Sequence, residues 1–333
     1  MRALRFERYG PPEVLRVDEV PEPFPDAGEA KVRIHAVSLN PLDWKVRAGH
    51  LRFLPTFRPP PRGLGCDFAG EIVAVGGGAT ERHVGERVFG SILPFGRDGA
   101  LADYLVVPFE RLMPIPADLS TGHAATLPIA GGTALQGLTD EGHLAAGRRV
   151  LVTGAAGGVG HFAVQIAKHL GAHVVGVCST GNVEFVRALG ADEVVDYTRE
   201  EFTEGRMPFD CVFDAAGAST YAAARRVLAS DGRYINTGGD AHAVATTLTS
   251  TLLSRITSRQ RAVLLVLRNR RQMWQRLVQL VRGGVLRPHV ERTIGLGDVA
   301  DAQRAMETGH GRGKIVVRVA DVAAPEATAA SVG

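Results

Sequence analysis

A glycine-rich string in the middle of the chain has the residue types and spacing to bind phosphate. It reads Gly154-Ala155-Ala156-Gly157-Gly158-Val159-Gly160 and stands between a short apolar strand, 150–153, and a helical stretch, 160–170. Glycine permits the tight turn, and without a Cβ a pyrophosphate can reach the N–H groups at the start of the helix. A lone string of this kind is often a plain strand–helix turn. Here the neighbouring elements favour a dinucleotide site, which we assign to Gly154, Ala156, Gly157, Gly158, Val159 and Gly160.

The end of the next strand, 173–178, indicates which dinucleotide is bound. Sites for NAD usually carry an acidic residue about 20 positions after the glycines, where it holds the ribose hydroxyls and repels a 2′-phosphate. This chain has Cys178-Ser179-Thr180-Gly181-Asn182 at that point. The missing carboxylate favours NADPH. Ser179, Thr180 and Asn182 can donate hydrogen bonds to the phosphate and Tyr197 could reach it, although such residues are also common in ordinary turns.

The elements that must position this site alternate between strands and helices from residue 147 onward. The alternation predicts an α/β fold with a parallel doubly wound sheet. Before it, residues 1–122 are interrupted by Pro and Gly between short strands, which predicts a β-rich domain. We interpret 245–256 as a mobile flap near the cofactor and 262–267 as the last strand of the sheet. A helix around 273–281 and a strand at 314–319 are then left to complete the first domain.

Composition narrows the class of protein. The chain has 333 residues, 45% of them hydrophobic, and 38 Lys and Arg against 35 Asp and Glu, for a net charge of +3. Neither nucleic acid nor a membrane is indicated as a partner. The cysteines Cys66, Cys178 and Cys211 lie far apart, so we expect no disulfide framework or zinc knuckle, and a reducing cytoplasmic location. The start of the chain has no signal-peptide pattern. Residues 321–333 are expected to form a frayed tail.

Several further segments resemble the medium-chain dehydrogenase/reductase superfamily and, within it, the zinc-independent quinone oxidoreductase group that includes ζ-crystallin. The resemblance covers nearly the whole chain. Apart from the glycine turn, it is carried by residues 38–49, 65–70, 84–90, 127–134, 189–192 and 309–314.

The resemblance implies a GroES-like catalytic domain formed by 1–122 and 268–320, and a Rossmann NADPH-binding domain formed by 123–267. It also implies a cleft between the two domains and a homodimer joined through the Rossmann sheets. It places Thr133 near the nicotinamide and has Lys314 reach the cofactor phosphates across the cleft. Asn40 and Asp43 resemble substrate-cleft residues, and Gly238 is included in the cofactor site. Asn40 could instead only shape a turn before Pro41, and Lys314 could be a solvated charge.

The zinc ligands of alcohol dehydrogenases in this superfamily are not matched. Their Gly-His-Glu position is Gly65-Cys66-Asp67 here, and their first ligand position is Asn40. One Cys and one Asp without a His make a poor tetrahedral site, so no metal is expected. Alcohol oxidation then lacks a Lewis acid. A quinone or an α,β-unsaturated carbonyl (enone) is an easier hydride acceptor, because conjugation spreads the charge that hydride addition creates.

The hypothesis is therefore an NADPH-dependent reductase of a quinone or enone, whose carbonyl is polarised near Asn40 and Thr133. The proton donor stays open. A tyrosine that serves in related enoyl thioester reductases aligns with Leu51, and the substitutes are His50, Lys45, Tyr104 or water. One alternative is a tailoring enzyme of polyketide or other secondary metabolism. An alternative of another class is a non-catalytic NADPH-binding sensor or a crystallin-like protein.

Overall fold

The computed structural model describes residues 1–53, 56–78, 82–93, 96, 98–203, 207–239, 241–268, 270–309 and 311–320. The predicted tail lies outside these residues. No helix among them is long and apolar enough to cross a membrane.

A six-stranded parallel sheet forms the nucleotide-binding half and confirms the doubly wound prediction. Its strands run in the spatial order β11-β10-β9-β12-β13-β14, with the order reversing beside β9. Their bounds are β9 (Arg149–Thr153), β10 (His173–Cys178), β11 (Glu193–Asp196), β12 (Phe209–Asp214), β13 (Leu228–Asn236) and β14 (Arg261–Leu264). Ligands of such sheets bind where the strand order reverses, at the carboxyl ends of the strands. This rule points to the end of β9, where the glycine string begins.

Helices connect these strands and lead into the sheet. They are α2 (Thr121–Ala125), α3 (Gly132–Gln136), α4 (Gly160–His169), α5 (Val183–Ala188), α6 (Tyr221–Ala224), α7 (Ala241–Thr257) and α8 (Arg271–Arg282). Wider π-helical turns, Leu127–Gly131 and Gly137–Glu141, flank α3. The helix predicted at 160–170 and the one predicted around 273–281 are both present.

The second half is mainly antiparallel and is closed by the end of the chain. One sheet has the order β15-β16-β3-β5-β6-β8, with β7 also paired to β3, and a smaller sheet has the order β2-β1-β4. Because β16 pairs with β3, the C-terminal segment completes the sheet begun by the N-terminal one. The bounds are β1 (Arg2–Phe6), β2 (Arg16–Glu19), β3 (Glu29–Ser38), α1 (Pro41–Arg47), β4 (Arg62–Gly63), β5 (Asp67–Val75), β6 (Arg87–Ser91), β7 (Tyr104–Pro108), β8 (Leu112–Pro114), β15 (Val290–Gly295), α9 (Val299–Glu307) and β16 (Lys314–Arg318).

The stretch interpreted as a mobile flap is a helix, so that expectation was wrong. It forms α7, which packs on β14, and the strand after it ends at Leu264, earlier than predicted. Thr251 and Ser254 accept hydrogen bonds from the N–H groups of Leu264 (3.2 Å) and Ala262 (3.1 Å). The N–H of Leu265 instead donates to the backbone oxygen of Asn236 in β13. Since alternate N–H groups of a strand point to opposite sides, the hydroxyls of α7 cover the outer edge of β14.

Candidate functional site

The glycine turn has the geometry of a phosphate cradle. Gly154 adopts a φ of +61°, which favours glycine, and a Cβ on Gly160 would lie 2.0 Å from the carbonyl oxygen of Gly154. The turn delivers the chain directly into the N-terminus of α4, where N–H groups without helical partners concentrate partial positive charge. The residues present therefore fit a dinucleotide pyrophosphate.

A buried histidine joins the first turn of α4 to the residue that precedes β15. His161 is fully buried; its Nδ1 lies 3.0 Å from the Gly157 oxygen and its Nε2 lies 3.3 Å from the N–H of His289. This pattern requires a proton on Nδ1 and none on Nε2. Burial lowers the pKa of His161 to about 4, which keeps the ring neutral. The Gly313 N–H also donates to the Ala156 oxygen at 2.8 Å, so both halves of the molecule hold the turn.

The loop after β10 meets an arginine from the other half. The Nε of Arg312 donates to Asn182 Oδ1 at 2.9 Å, and its Nη2 donates to the Gly181 oxygen at 2.8 Å. Its guanidinium carbon lies 5.2 Å from the ring centre of Phe185, and the side chain is half-buried. A basic group thus stands at the loop that the sequence assigns to the 2′-phosphate.

A carboxylate is also present at this edge, on the neighbouring strand. Asp196 ends β11, and its Oδ2 accepts the Thr180 hydroxyl at 2.6 Å while its Oδ1 accepts the Thr198 hydroxyl at 2.7 Å. The Thr180 hydrogen bond is the main reason that the pKa of Asp196 is lowered. The Thr180 hydroxyl, predicted to face the cofactor, is therefore engaged with Asp196. The Tyr197 side chain is half exposed beside it, and Ser179 Oγ accepts Asn182 Nδ2 at 3.2 Å.

A buried charged network lies on the other side of the glycine turn. Lys314 Nζ donates to Asn40 Oδ1 and to the Leu39 oxygen, both at 2.7 Å. Asn40 Nδ2 in turn donates to Asp67 Oδ2 at 3.0 Å, and the same oxygen accepts the N–H of Ile129 at 3.2 Å. The network joins β16, β5 and the start of α1 to the turn before α3.

Burial changes the proton affinity of this network. It raises the pKa of Asp67 to about 7 and that of Asp43 to about 6, although the Lys314 ammonium opposes both shifts. Burial likewise lowers the pKa of Lys314 and raises the pKa of Cys66 well above its usual range.

The predicted catalytic residues fall into separate places. Asn40 and Asp43 lie together: the Asn40 N–H donates to Asp43 Oδ2 at 2.7 Å, and both side chains are buried. Lys45 instead crosses the cleft, donating to the Gly239 oxygen at 2.5 Å, next to the predicted cofactor residue Gly238. Thr133 is buried at the start of α3. It lies four residues after Ile129, whose N–H binds Asp67.

Lys314 differs in detail from its expected position. It was predicted to reach phosphates across the cleft, but its ammonium is directed into the Asn40 network and its side chain is buried. Its Cδ lies 3.0 Å from where a Cβ of Gly158 would be. The positive charge is thus beneath the glycine turn and not extended through solvent.

Comparisons with known proteins agree with this arrangement. The model of the alcohol dehydrogenase GroES-like domain matches residues 26–117, and the zinc-binding dehydrogenase model matches residues 189–317. The chloroplast envelope quinone oxidoreductase homolog of Arabidopsis thaliana is 34% identical over 328 residues, covering 95% of this chain and 98% of the relative. The chain belongs to the medium-chain dehydrogenase/reductase superfamily. Within it, the chain falls in the quinone oxidoreductase-like group.

One further relative and one solved structure that are similar to this medium-chain dehydrogenase/reductase are also named as oxidoreductases. The NADPH-dependent alkenal/one oxidoreductase of Arabidopsis thaliana chloroplasts is 31% identical over 95% of this chain and 79% of the relative. The structure of the quinone oxidoreductase from Coxiella burnetii superimposes with a TM-score of 0.87 at 31% identity, covering 96% of this chain and 99% of that one. The predicted pairing of GroES-like and Rossmann-type domains is confirmed.

Two residues of this medium-chain dehydrogenase/reductase site were missed from the sequence. Arg312 stands 130 positions after Asn182, and no local pattern connects them. The sequence feature that could have indicated Arg312 was its position in the 309–314 motif, between Gly311 and Gly313 and two residues before Lys314. Asp67 was considered only as a failed zinc ligand, whereas here it accepts hydrogen bonds from Asn40 and Ile129.

Proposed function

We propose that the chain is a zinc-independent, NADPH-dependent reductase that transfers hydride to a quinone or enone. The observation that carries the proposal is the guanidinium of Arg312 at the loop of Ser179 to Asn182, beside a glycine turn that fits a pyrophosphate. The names of the relatives, which include quinone and alkenal/one oxidoreductases, support the choice of acceptor.

Different residues of the chain would hold the different parts of NADPH. The glycine turn and the start of α4 would hold the pyrophosphate, with the buried Lys314 charge beneath them. Arg312, Ser179, Asn182 and Tyr197 would surround the 2′-phosphate. The Nε and Nη2 groups of Arg312 hold the loop, and its guanidinium would supply the positive charge there. Asp196 is compatible with the assignment of NADPH, since its carboxylate already accepts hydrogen bonds from two threonine hydroxyls. When bound, the cofactor supplies the hydride.

The same network supports the proposal that no zinc is required. Where a metal would need an anionic first ligand, the Asn40 amide oxygen accepts the Lys314 ammonium. Burial raises the pKa of Cys66 well above its usual range, which disfavours the thiolate that a metal would need. A cation at this position would compete with an ammonium already in place. Metal analysis of the purified protein is expected to find less than stoichiometric zinc.

Cofactor binding gives the most direct test. We expect calorimetric titration to show tighter binding of NADPH than of NADH. Arg312→Gln should weaken NADPH binding by about 10- to 100-fold, the range for losing a charge-assisted contact, and leave NADH nearly unchanged. Arg292→Gln, at an exposed position of β15, is the matched control. Equal losses for both cofactors in Arg312→Gln would contradict the assignment.

Turnover assays test whether quinones or enones accept hydride from NADPH. We expect NADPH oxidation with 9,10-phenanthrenequinone, 1,4-benzoquinone or members of an enone panel. Tight NADPH binding without turnover of any acceptor would instead favour a non-catalytic protein.

The homodimer and the cytoplasmic location remain predictions of the sequence. The sheet has two edge strands, β11 and β14, and the outward N–H groups of β14 are taken by Thr251 and Ser254. A dimer on this side would therefore bring α7 into the contact. Light scattering after size-exclusion chromatography measures the oligomeric state.

A further inference from the structure

A buried carboxylate holds the turn that leads into α3. Asp67, at the start of β5, is fully buried, and its Oδ2 accepts the N–H of Ile129 at 3.2 Å. Ile129 lies in the π-helical turn Leu127–Gly131, and Thr133 follows in the first turn of α3. None of the roles assigned so far uses this hydrogen bond, although it ends four residues before the residue that we place near the nicotinamide.

The carboxylate of Asp67 is itself held in place by several elements. Asn40, which precedes α1, donates its Nδ2 to Asp67 Oδ2 at 3.0 Å, and Ser91 of β6, the cross-strand partner of Asp67, also hydrogen-bonds the carboxylate. The ammonium of Lys314 donates to the amide oxygen of the same Asn40 at 2.7 Å. A side chain fixed by several hydrogen bonds positions its own partner more sharply than a mobile one. Asp67 therefore offers the N–H of Ile129 a rigid acceptor.

The turn depends on this hydrogen bond because the residue before Ile129 cannot donate one. Pro128 has no N–H, so Ile129 supplies the next donor of the turn, and that donor is directed to Asp67. The hydrogen bond is partly buried. An N–H that loses its partner away from water costs about 1–3 kcal/mol. Loss of the carboxylate would therefore favour a different winding of the turn and would shift the residues after it, including Thr133.

Helix α8 packs against the end of the same turn. A Cβ on Gly131 would lie 3.2 Å from Leu277 Cδ1, and a Cβ on Gly132 would lie 2.7 Å from Met273 Cε, so Gly132 has no room for a side chain. The backbone approaches α8 closely only because both residues are glycine. The path of the chain into Thr133 is thus set by two contacts, one with α8 and one with the carboxylate.

We propose that Asp67 is a positioning residue for hydride transfer, which acts through the N–H of Ile129 to hold Thr133 against the nicotinamide of NADPH. A misplacement of about 1 Å near the reacting atoms can slow a reaction by about 100-fold. The inference rests on the proposed function for the reaction and the cofactor. It deepens that function by adding a residue that acts through another residue.

Binding of two ligands to the full chain tests the position of Thr133 without turnover. The ligands are NADPH and 2′-phospho-ADP-ribose, which lacks the nicotinamide, each titrated by calorimetry. Asp67→Ala should weaken NADPH by about five- to tenfold more than 2′-phospho-ADP-ribose, the effect of one lost hydrogen bond. Equal weakening of the two ligands would overturn the inference. If the parent protein prefers NADH, the pair NADH and ADP-ribose gives the same comparison.

A double-mutant cycle tests whether Asp67 acts through Thr133. With NADPH and 9,10-phenanthrenequinone, Asp67→Ala and Thr133→Val should each lower kcat by about 10- to 100-fold, with little change in the KM of the quinone. The double variant should be no slower than the slower single variant, because the second change removes a contact that is already lost. Effects that multiply would show that the two residues act independently.

The conservative variant separates positioning from charge. The amide oxygen of Asp67→Asn can still accept the N–H of Ile129, so its kcat should stay within about threefold of the parent value. If Asp67 only balanced the charge of Lys314, Asp67→Asn would be as slow as Asp67→Ala, and that result would contradict the inference.

Two further variants control for folding and for the loss of a carboxylate. Asp67→Ser, whose hydroxyl is shorter than the carboxylate, replaces Asp67→Ala in every comparison if circular dichroism shows that the alanine variant is unfolded. Asp298→Ala removes an exposed carboxylate that accepts the N–H of Gly295 at 3.0 Å. This matched control should change neither the binding of the two ligands nor kcat.

The outcomes separate this inference from the proposed function. If no acceptor is turned over, the proposed reaction fails, but a selective loss of NADPH affinity in Asp67→Ala would still support the positioning of the nicotinamide. Normal turnover by the parent protein, with equal loss of both ligands in Asp67→Ala or with effects that multiply in the cycle, would overturn the inference and leave the proposed function standing.

Discussion

Lys314 Nζ and Asn40 Oδ1 lie 2.7 Å apart although 274 residues separate them in the chain. The contact is buried and ties the C-terminal strand to the start of α1, next to Asp67. The ammonium thus lies at Asn40, the position that the sequence resemblance aligns with the first zinc ligand of alcohol dehydrogenases.

Replacing Lys314 by Met should destabilise the protein by about 3 kcal/mol at pH 8, because it leaves buried carboxyl groups without their cation. Asp67 has a pKa of about 7, so it is neutral at pH 5.5 and the loss should be smaller there. Urea unfolding at the two pH values measures both effects.

Lys168→Met is the control for this prediction. Lys168 pairs with Asp192 at 2.8 Å on the surface, where an ion pair contributes about 1 kcal/mol or less. An equal loss for the two variants, or a Lys314→Met loss that does not vary with pH, would contradict the buried-cation account.

Introducing a carboxylate after β10 should reverse the cofactor preference. Ser179→Asp restores the acidic residue that NAD sites use for the ribose hydroxyls and that repels a 2′-phosphate. We expect NADPH binding to weaken by about tenfold or more and NADH binding to strengthen, as measured by titration. Ser179→Ala separates the new charge from the lost hydroxyl, and identical behaviour of the two variants would show that charge is not the cause.

The buried His161 should make stability depend on pH. Its pKa is about 4 in the folded protein and about 6.5 in the unfolded chain, so the unfolded chain binds more protons between these values. His161 should therefore contribute a loss of up to roughly 3 kcal/mol to the free energy of unfolding as the pH drops from 7 to 4, against the opposite contributions of Asp67 and Asp43, whose pKa values burial raises to about 7 and about 6. The difference in the free energy of unfolding between His161→Gln and the parent protein should change with pH by this amount in urea unfolding, whereas the difference for the exposed His83→Gln should not. A His161→Gln slope equal to that of the parent protein would argue against this origin.

The covered edge of β14 gives a prediction about association. Thr251→Val with Ser254→Ala leaves two strand N–H groups without partners, at a cost of about 2–4 kcal/mol, and exposes an edge that favours intermolecular strand pairing. We expect lower stability in urea and concentration-dependent light scattering. Thr246→Val with Thr249→Val is the control, since those hydroxyls bond only to carbonyls within α7. Unchanged scattering in the first double variant would show that the hydroxyls do not protect the edge.

The doubly wound sheet, the glycine turn and the helices at 160–170 and around 273–281 could be predicted because each depends on a short pattern. The turn formed by residues 154–160 can be recognised from the local sequence, because adjacent residues make both the turn and the start of the helix. The error at 245–256 shows the limit of such patterns. The stretch is rich in Thr and Ser, residues usually placed in loops, but several of these hydroxyls bond back to the carbonyls of α7, and Thr251 and Ser254 also accept N–H groups of β14.

By itself, the sequence determined the class of cofactor and the superfamily, because the glycine spacing and the local motifs are contiguous in the chain. Only the tertiary structure decided what faces those motifs. It brought Arg312 to Asn182, Lys314 to Asn40, and Asp67 to Ile129. These partners come from distant segments, and their pairing depends on how the last strand packs against the rest. No local propensity encodes that packing; it results from burying apolar surface and satisfying buried polar groups across the whole chain.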